Sequence, residues 1–162
     1  HWVGIAAQAA RNMNKSYEET VYGLTKVKIA VADAFISCWD EKYRSNLVRP
    51  ETLINKYWDE NWLPILQTPP FPEYTSGHSV VSGAAAVACT NVFGENYAFA
   101  DSVEVEYGLP VREFESFNQA SEEAAMSRLY GGIHYNAANK NGISQGRNLG
   151  HFIMDKLVMK ND

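Results

Sequence analysis

The sequence predicts an all-α helix bundle, with at most a short β element near residues 102–107. Three observations carry that prediction. Apolar residues recur at three- and four-residue spacing along most of the chain. Capping patterns open two of those stretches, and the prolines gather between them rather than inside them. At 162 residues the chain suits a single helical domain, 1–162, with a sizeable buried core.

The elements follow in order. Residues 1–13 place Trp2, Ile5 or Ala6, Ala9 and Met13 at helical spacing. Ser16 with Glu19 three residues on forms a capping-box pattern, which predicts a second helix running to the low forties. Its stripe is Val27, Val31, Phe35 and Cys38, and Pro50 closes the region. Pro64, Pro69, Pro70 and Pro72, four of the six prolines, mark a rigid extended loop. A third helix is expected from Ser76–Ser79 to Gly94, and Ser102–Tyr107 alternates like a short strand. Ser116 with Gln119 opens a fourth helix that turns Phe117, Ala120 and Ala124 inward and is interrupted at Gly131-Gly132. The last helix is expected over residues 143–159. Gly142, Gly146 and Gly150 lie four apart and leave one flat side for close helix approach.

Composition removes several function classes. Hydrophobic residues make up 46% and charged residues 20%, which is a globular balance rather than a disordered one. Net charge is −5, which argues against a general nucleic-acid binder or a cationic membrane-surface protein. No apolar run reaches the roughly 18 residues of a membrane span, and the uncharged stretch Thr75–Phe93 holds too many polar residues to be one. The chain opens on His1 in what already reads as helix, so a processed or truncated product is expected, with compartment left open. Cys38 and Cys89 both sit in apolar helical contexts, which favours buried free thiols over a disulfide.

The informative residues are cations that share a register with core stripes. Lys42 lies four residues after Cys38, and Arg49 lies seven further, near the same face if the helix continues. Arg128 extends the stripe of Phe117, Ala120 and Ala124. Buried cations need a counter-anion, because an unpaired buried charge costs several kcal/mol. The plainer alternative pairs Lys42 and Arg49 with Asp40, Glu41 or Glu51 at the surface. Ser76, Gly77 and His78 stand at the start of the third helix, where free N–H groups and the helix dipole favour an anion. Each also has an ordinary structural role there, and His134 could be an interior histidine bonded to backbone. His1 and His151 have no such context.

The spacing of these residues is diagnostic. Lys42 to Arg49-Pro50 has the form K-x6-R-P, Ser76-Gly77-His78 supplies S-G-H, and Ser127-Arg128 to His134 has the form S-R-x5-H. In this order they resemble the signature of the type-2 phosphatidic acid phosphatase and vanadium haloperoxidase superfamily. The flanking text Phe35–Asp40, Thr68–Tyr74 and Tyr130–His134 is similar to bacterial vanadium-dependent haloperoxidases, above all to the iodoperoxidases of marine flavobacteria.

That resemblance implies a vanadate cofactor, with vanadium(V) and no haem, in a helical bundle. His134 would be the protein ligand to vanadium. Lys42, Arg49, Ser76, the Gly77 N–H and Arg128 would hold the oxygens, and His78 would serve as acid–base catalyst. Hydrogen peroxide and a halide ion would be the substrates and a hypohalous acid or equivalent the product, with iodide, the easiest halide to oxidise, expected ahead of bromide. Trp39, one turn before Lys42, and Phe71, five before Ser76, are candidates for the halide pocket, with core packing as their alternative. The chain would be the catalytic C-terminal part of a longer protein, partnered by its N-terminal part and periplasmic or secreted. The phosphatase pattern has Asp four residues after the histidine, where this chain has Ala138. Asn136, Asn139 or a residue from the absent N-terminal half would then orient His134, which leans away from the rival reading of a soluble acid phosphatase with a phosphohistidine intermediate.

Overall fold

The computed structural model describes residues 1–159. The described residues form six α-helices: α1 Trp2–Asn12, α2 Tyr17–Ser45, α3 Pro50–Tyr57, α4 Gly77–Phe93, α5 Phe117–Tyr130 and α6 Asn136–Lys156. The all-α bundle expected from the sequence is what forms. No described helix is long and apolar enough to cross a membrane.

The central helix is α4, which packs most extensively on α6, then on α2, α5 and α1. It can be central because it is small-sided all round, with Ser79, Ser82, Gly83, Ala84, Ala85, Ala86, Ala88 and Cys89 all buried. The flat side predicted on the last helix is the α4–α6 seam. A methyl group added at Gly146 would run into the main chain of Val80 and Ala84, and one at Gly150 into Val87 Cβ, with the Ala84 main chain close behind. Gly83 answers from α4, where a Cβ would meet the carbonyl of Ile143. Two backbones are thus in direct contact along this seam.

Helix α2 begins as expected, with a complete capping box at Ser16 and Glu19. Its inner stripe is Val27, Ala30, Ala34, Cys38 and Lys42, whereas Phe35 is 49% exposed and stacks on Trp39 at 3.8 Å. Close approach to α4 selects the alanines and turns the larger ring outward. Asn46, in the left-handed region at φ 47°, ends the helix. Pro50 does not close the region but opens α3 at its first position, where its missing N–H is harmless.

Two further expectations are corrected. Residues 102–107 form no strand. Asp101 Oδ1 accepts the Val103 N–H, Ser102 accepts from Val105, and residues 105–107 make a 3-10 turn. The strands lie on either side, β1 Phe99–Asp101 and β2 Arg112–Phe114, antiparallel with Phe99 opposite Phe114. Their rings join Phe93, Tyr97 and Phe117 in an aromatic cluster at one end of the bundle. The last helix begins at Asn136, seven residues earlier than predicted, and ends at Lys156. Cys38 and Cys89 are both buried and free.

Candidate active site

At the N-terminal end of α4, three chain segments meet. Lys42, in the last turn of α2, is fully buried, and its Nζ donates to the carbonyls of Pro72 and Glu73, both at 2.9 Å. Arg49 caps the start of α3 and is also buried. It reaches the site from the segment after α2, which ends at Ser45, rather than from a continued helix. Its Nε donates to Phe71 O at 3.0 Å and its Nη2 to Pro72 O at 3.3 Å. Its Nη1 reaches Ile133 O at 2.9 Å and His134 Nε2 at 3.0 Å.

Neither cation pairs with Asp40, Glu41 or Glu51. Arg44 takes Asp40 and Glu41 instead. Lys42 and Arg49 are therefore held by carbonyl dipoles, which seat a cation without neutralising it. Burial is the main cause of the fall in the Lys42 pKa to about 8, and the neighbouring Arg49 charge adds to it.

His134 is buried beside them, and its Nδ1 lies 2.6 Å from Glu73 Oε1. An ionised carboxylate only accepts and a guanidinium only donates, so the neutral ring carries its proton on Nδ1 and presents a lone pair at Nε2. Burial lowers the His134 pKa and the Glu73 contact opposes that shift. Glu73 Oε1 also accepts the Tyr135 N–H at 3.0 Å. The expectation that Asn136, Asn139 or the absent half orients His134 is thus corrected. The partner is Glu73, not Asn136 or Asn139, and Ala138 contributes only its carbonyl, which accepts from Ser76 N–H. Glu73 lay within the Thr68–Tyr74 text that carried the resemblance, but a lone acid in a proline loop gives no register to point at a histidine 61 residues on.

Ser76 is the N-cap residue of α4, but its side chain accepts no N–H of the first turn. Its Oγ is buried and has no hydrogen-bond partner among the described residues. At Gly77 a Cβ would sit 3.2 Å from the Trp39 ring, so glycine is what lets the indole close over the helix start. His78 is exposed to solvent, and its Nε2 stands 3.5 Å from Arg128 Nη1. Partial desolvation among its neighbours, then the charge of Arg128, then His134, push the His78 pKa down to about 4. Arg128 lies in the last turn of α5, half-buried.

Trp39 and Phe71 complete one wall. Their centroids are 5.1 Å apart, with Lys42 Nζ 5.7 Å from the first ring and 5.4 Å from the second. The Arg49 guanidinium lies 5.2 Å from Phe71. Every residue singled out in the sequence for the site therefore lies in this region. Among the described residues no three His, Cys, Asp or Glu side chains converge as a bare metal ion would require. Three cations, a free hydroxyl and a helix N-terminus suit an anion.

Over residues 24–161 the chain matches the family model described as the VCPO second helical-bundle domain. Among solved structures it is similar to a bacterial vanadium-dependent iodoperoxidase, with 63% identity and a TM-score of 0.98. That likeness covers 100% of this chain and 39% of the other. The holo and apo forms of a bacterial vanadium-dependent chloroperoxidase share its fold at 19% and 20% identity, with TM-scores of 0.75 and 0.78. Each likeness covers 94% of this chain, and 39% and 41% of theirs. No curated protein matches it. By the family match and by the whole-chain likeness at 63% identity, the chain belongs to the family of the VCPO second helical-bundle domain.

Proposed function

We propose that this bundle is the catalytic part of a vanadate-dependent haloperoxidase that oxidises halide, iodide first, with hydrogen peroxide. The observation that carries the reading is the meeting of Lys42, Arg49 and Arg128 with an unpartnered buried Ser76 hydroxyl and a histidine lone pair. A tetrahedral oxyanion able to take one nitrogen ligand fits that donor set. His134 Nε2 would be the ligand to vanadium. Lys42, Arg49, Arg128, Ser76 Oγ and the Gly77 N–H would hold the oxygens. Vanadate, when bound, supplies a Lewis-acidic centre that activates hydrogen peroxide without changing oxidation state.

The residues around it have separable tasks. Lys42 and Arg49 keep positive charge against oxygen, and the carbonyls of Phe71, Pro72 and Glu73 fix where that charge sits. His78 is neutral at pH 7 with its pKa near 4, so it can accept a proton from an incoming peroxide. The charge of a bound anion would raise that pKa and let the same ring return the proton. Trp39 and Phe71 offer a polarizable wall beside Lys42, suited to a large halide such as iodide. Identity with the iodoperoxidase supports the same choice. The working protein would include the remaining part of a longer chain, since this one spans 39% of the iodoperoxidase's length. A periplasmic or secreted location accords with the family resemblance.

A second reading has an observation of its own. The Glu73–His134 pair gives the histidine the carboxylate that a phosphohistidine mechanism uses, so the bundle also suits a soluble acid phosphatase. One experiment separates them. Full-length apo-protein is assayed for triiodide formation from iodide and peroxide before and after orthovanadate, and in parallel for p-nitrophenyl phosphate hydrolysis. Vanadate-dependent triiodide is expected, and His134→Ala should abolish it. Hydrolysis inhibited by vanadate, with no iodide oxidation, would overturn the peroxidase reading.

A further inference from the structure

Glu73, which lies outside the motifs, makes as many of the site's hydrogen bonds as Arg49 does. Its side chain is fully buried. Its main-chain N–H donates to Leu47 O at 2.8 Å, inside the segment between Lys42 and Arg49. Its carbonyl accepts from Lys42 Nζ. Its Oε1 accepts from both His134 Nδ1 and the Tyr135 N–H, while Oε2 has no partner among the described residues. One residue therefore ties the K-x6-R-P segment, the proline loop and the end of the S-R-x5-H segment together.

We infer that Glu73 is the positioning residue of this site, locking His134 in the Nδ1–H tautomer with Nε2 turned toward the cations. The inference rests on the reading of His134 as the nitrogen ligand. A histidine side chain in water favours the opposite tautomer, with the proton on Nε2, and that form has no lone pair at Nε2 to offer. Two donors converge on Oε1, a ring N–H and a backbone N–H. The backbone one cannot be re-aimed, so an oxygen must face the ring. A carboxylate on the remote nitrogen also makes the ring a better ligand, and loss of such a partner typically weakens binding about 10- to 100-fold. Glu73 does this from the proline loop, where the phosphatase pattern uses an Asp four residues after the histidine and this chain has Ala138.

The test compares Glu73→Gln and Glu73→Ala with the unmodified full-length protein at neutral pH. The readouts are the ¹⁵N shifts of the His134 ring without vanadate, and orthovanadate affinity by ⁵¹V NMR. Gln keeps an oxygen facing Tyr135 N–H, so it should retain the Nδ1–H ring and lose little affinity. Ala should release the tautomer and weaken vanadate binding by tenfold or more. An Ala variant indistinguishable from the unmodified protein, or from the Gln variant, overturns the proposal. If the Ala variant does not fold, the Gln ring decides: a proton on Nδ1 supports the proposal and one on Nε2 overturns it. A locked ring in a protein that binds no vanadate would instead sink the cofactor reading and leave the tautomer claim standing.

Discussion

His134 Nδ1 and Glu73 Oε1 stand 2.6 Å apart across 61 residues of sequence, both with side chains removed from solvent. The contact joins the proline loop to the start of α6, and Tyr135 N–H closes on the same oxygen. It converts two unrelated loops into one rigid rim. On that rim the Nε2 atom points at Arg49, so the histidine faces charge on both sides, negative behind and positive in front.

Anion affinity should fall as pH rises past about 8. Lys42 titrates near that value because it is buried, and an anion binds its ammonium form more tightly. Binding therefore raises the Lys42 pKa and takes up a proton. Affinity is then flat below about 8 on this group's account and drops by up to about tenfold per unit above it. Sulfate, whose own charge is constant there, is the probe for calorimetry across pH 6–10. Lys42→Met should weaken binding and remove the drop.

His78 should titrate near pH 4 in the free protein and higher with an oxyanion bound. The shift has one sign because partial desolvation, Arg128 and His134 all disfavour the imidazolium, while an anion favours it. Chemical shifts of the His78 ring in the presence and absence of phosphate check this. Arg128→Gln should move the free value upward as well. A midpoint unchanged by both would contradict the assigned surroundings.

Gly146→Ala should destabilise the fold by about 3 kcal/mol or more, because the new methyl meets main chain of α4 and only helix separation relieves it. Gly23→Ala is the control. There the neighbour is the Val92 side chain rather than main chain, so the crowding should cost less, and a gain in helix propensity of about 1 kcal/mol works against it. Urea unfolding of the two variants measures the difference. Equal losses would contradict the backbone contact.

Cys38 and Cys89 should be silent to thiol reagents in the folded protein and both react after unfolding. Each is wholly buried, and burial raises both thiol pKa values, which removes thiolate as well as access. A native-state count above zero with Ellman's reagent would contradict this.

What the sequence could reveal depended on how local the cause was. The starts of α2 and α5 were readable because Ser16 with Glu19 and Ser116 with Gln119 are local chemistry. The glycine spacing of α6 announced its seam for the same reason. The start of α6 was not readable, since Asn136 to Asn141 is polar and only burial of Ala138 and Asn139 against α4 makes it helix. Pro50 was misread because the same residue that stops one helix can begin another. Fixed motifs located Lys42, Arg49, Ser76 and His134, whereas only the fold brings Glu73 to the site. Its partner is set by where two loops cross, which no period encodes.

The α4–α6 seam also determines how this family can change. Ser76 and His78 ride on one helix and His134 immediately precedes the other, so the interval across the site is gauged by main chain resting on main chain. Leucines, valines and phenylalanines elsewhere in the bundle can be exchanged over time without moving that gauge. A single extra carbon at residue 146 resets it. Descendants of this fold should therefore diverge freely in their oily residues while keeping the same opening between the two histidines.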